Sequence, residues 1–333
     1  MCGSLDVIDI ASRSTIRSID VGGQPDSVAV SPDGNYAVVV IENERDEDLG
    51  DGVPPQLPAG YIVIVNLTGE PAAWTTQTVA LTGLADLYPA DPEPEFVDIN
   101  SDNIAAISLQ ENNHIVLVNL ADGSIVNHFS AGTVDLVGVD ANEDDLIDQS
   151  ESLDGVLREP DGLSWLSTEY FVTANEGDLD GGSRGFTVFN TAGDVIYDAG
   201  NTLDQLTVRY GHYPESRSEN KGNEPENAEF AVFGSERYLF VNSERSSVVF
   251  VYDVADFTKP VFKQLLPAAV GPEGALAIPS RNLLVVASEE DNRDDVMRSS
   301  LNIYQYGFAS AAYPTVISND RLDGSPIPWS GLS

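Results

Sequence analysis

Ten carboxylates recur in pairs along this sequence, at a spacing regular enough for them to serve one site. A proline–acid step opens one apolar run and a glutamate closes the next. The pairs are Asp26 with Glu42, Glu95 with Glu111, Asp161 with Glu176, Glu226 with Glu244, and Glu273 with Glu289, separated by 16, 16, 15, 18 and 16 residues. Carboxylates gathered within a few ångströms cannot all stay ionised unless cations compensate them. Hard divalent cations with oxygen ligands, Ca²⁺ first, are the natural partners. One cysteine, Cys2, and three scattered histidines, His114, His128 and His212, argue against zinc. Taken singly, each acid could equally cap a loop by accepting backbone N–H bonds. As a set they favour function, because a cap could be Asn or Ser in some copies.

A second calcium signal lies at 140–151, DANEDDLIDQSE. Numbered as a 12-residue calcium loop, it places Asp140, Asn142 and Asp144 at positions 1, 3 and 5. Leu146 offers a carbonyl at 7, and Asp148 and Glu151 fall at 9 and 12. Asp145 stands at position 6, where glycine normally makes the sharp turn; Asp tolerates the left-handed geometry required there. The plain alternative is an acidic solvated loop. Asp178-Leu179-Asp180-Gly181-Gly182 is a weaker candidate of the same kind.

Cations are scarce, so their places are informative. Arg45, Arg184, Arg217, Lys221 and Arg245 each follow a second strand or precede a first one, on the side that carries the acids. Beside metal-bound carboxylates they could hold a phosphoester or another small anion. The alternative for each is a surface salt bridge of little energetic weight. No Ser-His-Asp arrangement, phosphate-binding loop or dinucleotide motif is present.

The elements that would position these residues are short strands. Runs such as Tyr36–Ile41, His114–Leu120 and Val248–Val254 are bounded by turn signals such as Ser31-Pro32-Asp33-Gly34. Each acid pair belongs to a unit of four strands, and five such units recur. That is the signature of an all-β fold, a β-propeller of about six, or seven, four-stranded blades. The first strand of each blade lines the channel, which puts the acids around its mouth. A hairpin at 4–21 supplies a sixth, incomplete copy. A strand around Thr315–Asn319 is expected to help close the ring, so that residues 1–310 form one propeller domain and 311–333 a closing strand and tail. With 54 acidic and 16 basic residues, net charge −38, the chain repels nucleic acid and anionic lipid and attracts cations. No apolar run is long enough for a membrane span. The N-terminus, MCGSLDVIDI, is strand-like and carries no signal peptide.

Several stretches also carry a family likeness. IENERDEDLGDGVPPQLPAGYIVIVNL, TANEGD, SRGFTVFNTAGDVIYDAG and RSENKGNEPEN, followed by VNSER and VYDV, resemble secreted bacterial choice-of-anchor propellers and "esterase-like activity of phytase" proteins. These are distantly similar to calcium-dependent alkaline phosphatases of propeller fold. The likeness covers roughly residues 4 to 330 and is strongest at 170–255. It implies an exported, extracellular or periplasmic, calcium-binding propeller with phosphoester hydrolase activity, or a surface adhesion module in which calcium is structural. By position it assigns Asn175, Glu176, Gly177, Asp178, Arg184, Arg217, Lys221, Glu224, Glu226, Glu244 and Arg245. In the hydrolase, Arg217, Lys221, Arg184 and Arg245 would hold phosphate. Glu176, Asp178, Glu224, Glu226 and Glu244, with Glu273 and Glu289 from the repeat, would hold metal. Asn227 departs from the family's usual glycine. The ending PIPWSGLS resembles the point where a further phytase-like domain would begin.

Overall fold

The computed structural model describes residues 3–46, 48–292, 297–307 and 317–328. The chain forms a β-propeller of five antiparallel blades. Blade one is β3 (Gln24–Val30), β4 (Tyr36–Glu42), β5 (Tyr61–Asn66) and β6 (Thr75–Ala80), preceded by the hairpin β1 (Ser4–Asp9) and β2 (Ser14–Asp20). Blade two is β7 (Pro94–Ile99), β8 (Ile104–Leu109), β9 (His114–Asn119) and β10 (Ser124–Ser130). A second hairpin, β11 (Thr133–Val139) and β12 (Glu151–Leu157), follows it. Blade three is β13 (Leu163–Trp165), β14 (Tyr170–Ala174), β15 (Phe186–Asn190) and β16 (Val195–Asp198), then helix α1 (Thr202–Tyr210). Blade four is β17 (Pro225–Phe233), β18 (Glu236–Ser243), β19 (Val248–Asp253) and β20 (Val261–Pro267). Blade five is β21 (Pro272–Ile278), β22 (Leu283–Ser288) and β23 (Ser300–Gln305).

Apolar side chains alternate along each strand and fill the spaces between neighbouring blades. Val38, Ile62, Ile107 and Val116 lie between blades one and two. Phe171 and Phe189 meet Ile115 and Leu117 between two and three. Phe186, Val241 and Phe250 pack between three and four, and Val249, Phe240 and Val286 between four and five. Polar clips repeat at one position, the fourth residue after the blade-opening proline. Asp98 accepts the Trp165 N–H at 2.8 Å, Ser164 accepts that of Phe230 at 3.2 Å, and Glu229 accepts that of Ala277 at 2.8 Å.

The sixth copy exists only as β1–β2, a two-stranded sheet packed on blade one through Ile19 and Val21. Its place in the ring is therefore half filled among the described residues, and the flanking strands expose apolar groups: Val28 and Val30 on one side, Leu276, Leu301 and Ile303 on the other. Of the expected closing strand, Thr315 and Val316 fall outside the described residues. Ile317–Asn319 form no strand. They lie instead at α1, where Ser318 N donates to Arg209 O and Asp320 pairs with Arg209. Helix α1 itself was not anticipated. Its nine residues bury Leu203, Leu206 and Val208, and it ends on Gly211 at φ 75°, a left-handed cap suited to glycine.

Candidate cation-binding channel mouth

The proline–acid steps sit on a repeated backbone irregularity. In β3, β7, β17 and β21 the pairing register shifts between the proline and the third residue after it: Pro25/Val28, Pro94/Val97, Pro225/Ala228 and Pro272/Ala275. The acid lies inside each bulge. A bulge bends its strand and re-aims a side chain, here at the one place where every blade approaches the axis. Blade three reaches the same result with a shorter strand, Gly162 N donating to Glu226 O at 3.0 Å. Asp26, Glu95, Asp161, Glu226 and Glu273 consequently line one cavity of about 410 Å³.

The second acid of each pair stands at the same end. Four groups result, in each of which one oxygen per residue lies within 4.8 Å of the others: Asp26–Glu42–Glu95, Asp161–Glu176–Glu226, Glu176–Glu224–Glu244 and Glu244–Glu273–Glu289. Sharing of Glu176 and Glu244 joins the last three into one continuous arc. Burial, then the neighbouring carboxylates, push Glu95 well above the carboxylate range; burial does the same for Asp161 and Glu226. Burial also raises Asp26 to about 6 and Glu42, Glu244 and Glu273 to about 7. No Lys or Arg pairs with Asp26, Glu42 or Glu95 among the described residues. The donor set is all oxygen, which suits calcium or magnesium and not zinc.

The cations anticipated on this face divide sharply. Arg217 and Arg245 both donate through Nε to Glu224, at 2.6 and 3.0 Å, and Lys221 lies 3.9 Å from the same carboxylate. Arg245 also pairs with Glu244 at 2.6 Å, and Lys221 with Glu176 at 3.2 Å. Glu224 is fully buried and serves as the hub of this cluster. Burial alone would lower the Lys221 ammonium, but Glu176 and Glu224 outweigh it and hold it charged. Arg45 pairs with Asp178, which removes that acid from the metal groups. Arg184, expected to meet an anion, lies away from solvent. It is 1% exposed and bonds Asp204, the carbonyls of Asp140 and Ser218, and that of Asn220. Its guanidinium fastens blade three to α1 and the 217–223 turn and has no surface left for a ligand.

The acidic loop 140–151 forms the tip of the β11–β12 hairpin rather than a bare connection between blades. Asp145 adopts φ 64°, the left-handed turn its position demands. The carboxylates close on their own loop. Asp140 accepts the N–H of Asp148 at 2.8 Å and of Asn142 at 3.3 Å, Asp144 that of Leu146 at 3.0 Å, and Glu151 that of Ala141 at 2.9 Å. None of the four carboxylate groups includes them. The Leu146 side chain points to solvent. His114 and His128 are bonded to each other at 3.0 Å across β9 and β10 and belong to none of the four carboxylate groups.

A propeller with an acid-lined channel mouth is thus the class that fold and site define. The family model of the choice-of-anchor I domain matches residues 1–181 and 179–257, and the chain belongs to that family. Membership is consistent with a cell-surface protein, and no described helix is long and apolar enough to cross a membrane. A search of curated proteins returned no match. Among solved structures, the chain is similar to a functionally unknown protein from Desulfotomaculum acetoxidans, at 10% identity and TM-score 0.54, covering 94% of this chain and 75% of that one. It is also similar to hydrazine synthase of Kuenenia stuttgartiensis, at 15% identity and TM-score 0.51, covering 92% and 78%. At such identities the likeness is one of fold alone.

Proposed function

We propose that this chain is an exported, cell-surface propeller whose channel mouth binds divalent cations, calcium first, and that the cations organise a binding surface rather than drive catalysis. The observation that carries this reading is the set of four carboxylate groups whose oxygens converge within 4.8 Å, one of them with no basic partner. Such a concentration of negative charge, much of it partly buried, is costly unless something positive enters it. Calcium accepts six to eight oxygens at flexible geometry, which suits a ring of independent blades. The loop 140–151 is a further calcium candidate, requiring Asp140, Asp144 and Glu151 to exchange backbone N–H groups for the ion.

Phosphoester hydrolysis is the second reading. It is favoured by Arg217 and Arg245, which are 31% and 43% exposed beside the Glu176–Glu224–Glu244 group. It is weakened by Glu224, which already accepts a hydrogen bond from both. Calorimetric titration of chelator-treated protein with CaCl₂ and MgCl₂ tests the first reading. Saturable calcium binding that falls in Glu95→Gln and Glu226→Gln is expected. Absence of binding at millimolar calcium would overturn it. Calcium-dependent turnover of p-nitrophenyl phosphate, lost in Lys221→Ala and Arg217→Ala, would put the second reading in its place.

A further inference from the structure

Behind the mouth, between blades one and two, lies a pair of acids that the repeat pattern does not include. Asp91 and Glu93 are both 0% exposed. Their backbone is clamped. Asn112 Nδ2 donates to Asp91 O at 3.0 Å, Glu93 N donates to Asn112 Oδ1 at 2.9 Å, and Gln110 N donates to Glu93 O at 3.2 Å. The side chains are not satisfied in the same way. Gln56 N donates to Asp91 Oδ2, but no donor reaches Asp91 Oδ1 or either carboxylate oxygen of Glu93. Glu111, 4% exposed, leaves its Oε2 equally without a donor, and the charge of Glu42, a member of the Asp26–Glu42–Glu95 group, reaches Glu93. After burial itself, the charges of Asp91 and Glu42 are what push Glu93 up, to about 9.

Buried carboxylate oxygens without donors are costly, and a native fold satisfies them with a proton, a basic side chain or a cation. The basic side chain nearest to hand is Arg45, which is committed to Asp178 and to Gly52 O. Over this pair runs the connection between β4 and β5, described at 43–46 and 48–60. It is tied down by Gln56 N on Asp91, by Asn43 Nδ2 on Gln56 O, and by Gly60 N on Pro92 O at 3.0 Å.

We propose that Asp91 and Glu93, with Glu111 beside them, form a buried divalent-cation site, and that the bound cation pins the segment between β4 and β5 across blades one and two. The site is independent of the arc from Asp161 to Glu289, so either can fail without the other. An all-oxygen set of carboxylates under a loop that can open for entry fits calcium. Its role is structural: it converts a repulsive acid pair into the anchor of a loop at the rim of the mouth.

The test is hydrogen–deuterium exchange of peptides from 43–60 in the 333-residue chain at pH 8, with and without CaCl₂. At calcium about ten times its dissociation constant, exchange in this segment slows about tenfold in the parent. Glu93→Gln and Asp91→Asn abolish that slowing, while Glu226→Gln, across the channel, retains it. The two single variants guard against one failing to fold, and the parent alone is decisive in one direction. If calcium leaves the segment's exchange unchanged in the parent, the proposal is wrong. It is also wrong if Glu93→Gln responds to calcium as the parent does, or if acidification raises the segment's protection relative to the intrinsic exchange rate at each pH where calcium does not, since the acid pair then holds a proton.

Discussion

At the scale of residues, position decides whether a charge is structural or available. Glu224 and Arg184 are both buried, yet only Glu224 gathers side chains that reach solvent. Glu224 collects Arg217, Arg245 and Lys221, two of which reach solvent. Its replacement by Gln should cost about 1–3 kcal/mol, since charged hydrogen bonds are lost but the arginines can rehydrate. A urea denaturation midpoint checks this. Arg184→Ala leaves Asp204 fully buried without its cation, and should cost about 3–5 kcal/mol. Its calcium titration should match the parent's, since Arg184 belongs to none of the carboxylate groups. The sequence made the scarcity of cations plain but not their commitments, because burial of Arg184 depends on α1 and the 217–223 turn folding over it.

At the scale of elements, the repeated proline–acid step is legible in one dimension, and the bulge that gives it meaning is not. The register shift after Pro25, Pro94, Pro225 and Pro272 is a property of pairing with the next strand. Nothing in Glu95-Phe96 or Glu226-Asn227 announces it. The β11–β12 hairpin was hidden for a related reason: the acidic run at 140–151 drew attention to its turn and away from the short alternating strands beside it. Blade contacts are close enough to be probed by one methyl group. A Cβ on Gly162 would lie 2.6 Å from Asn227 Cα and 2.7 Å from Glu226 O. Gly162→Ala should therefore wedge blades three and four apart and cost about 1–3 kcal/mol, read as a lower melting temperature. The clip residue Glu229 is half-buried, and desolvation raises it to about 7. Glu229→Gln keeps an acceptor for Ala277 N–H without the charge, and should raise the melting temperature at pH 8 and leave it nearly unchanged at pH 5.

At the scale of the whole molecule, a chain of charge −38 that gathers acids at its axis is poised between protons and metal ions. Asp26, Glu42, Glu244 and Glu273 titrate near 6 to 7 in the folded protein and near 4 when unfolded. Between those values the folded state binds more protons, so stability falls as pH rises through that window. Calcium-free protein should melt at higher temperature at pH 5 than at pH 8, and millimolar calcium should remove most of the difference by stabilising the pH 8 form. Below about pH 4 the sign reverses. There the turn aspartates, among them Asp33 and Asp122, which their hydroxyl, amide and backbone N–H partners hold low, begin to protonate. Blade number was the least legible feature. Each blade is recognisable locally, but ring closure depends on what fills the half-blade beside β1, and Val28, Leu276 and Ile303 stand exposed around it.

Anomalous diffraction from crystals grown with calcium and then exchanged into terbium tests the central claim most directly. Peaks should fall inside Asp26–Glu42–Glu95 or along the arc from Asp161 to Glu289, bridged by carboxylate oxygens. Density confined to the 140–151 loop, or a mouth whose acids hold only protons and the side chains of Lys221, Arg217 and Arg245, would contradict it.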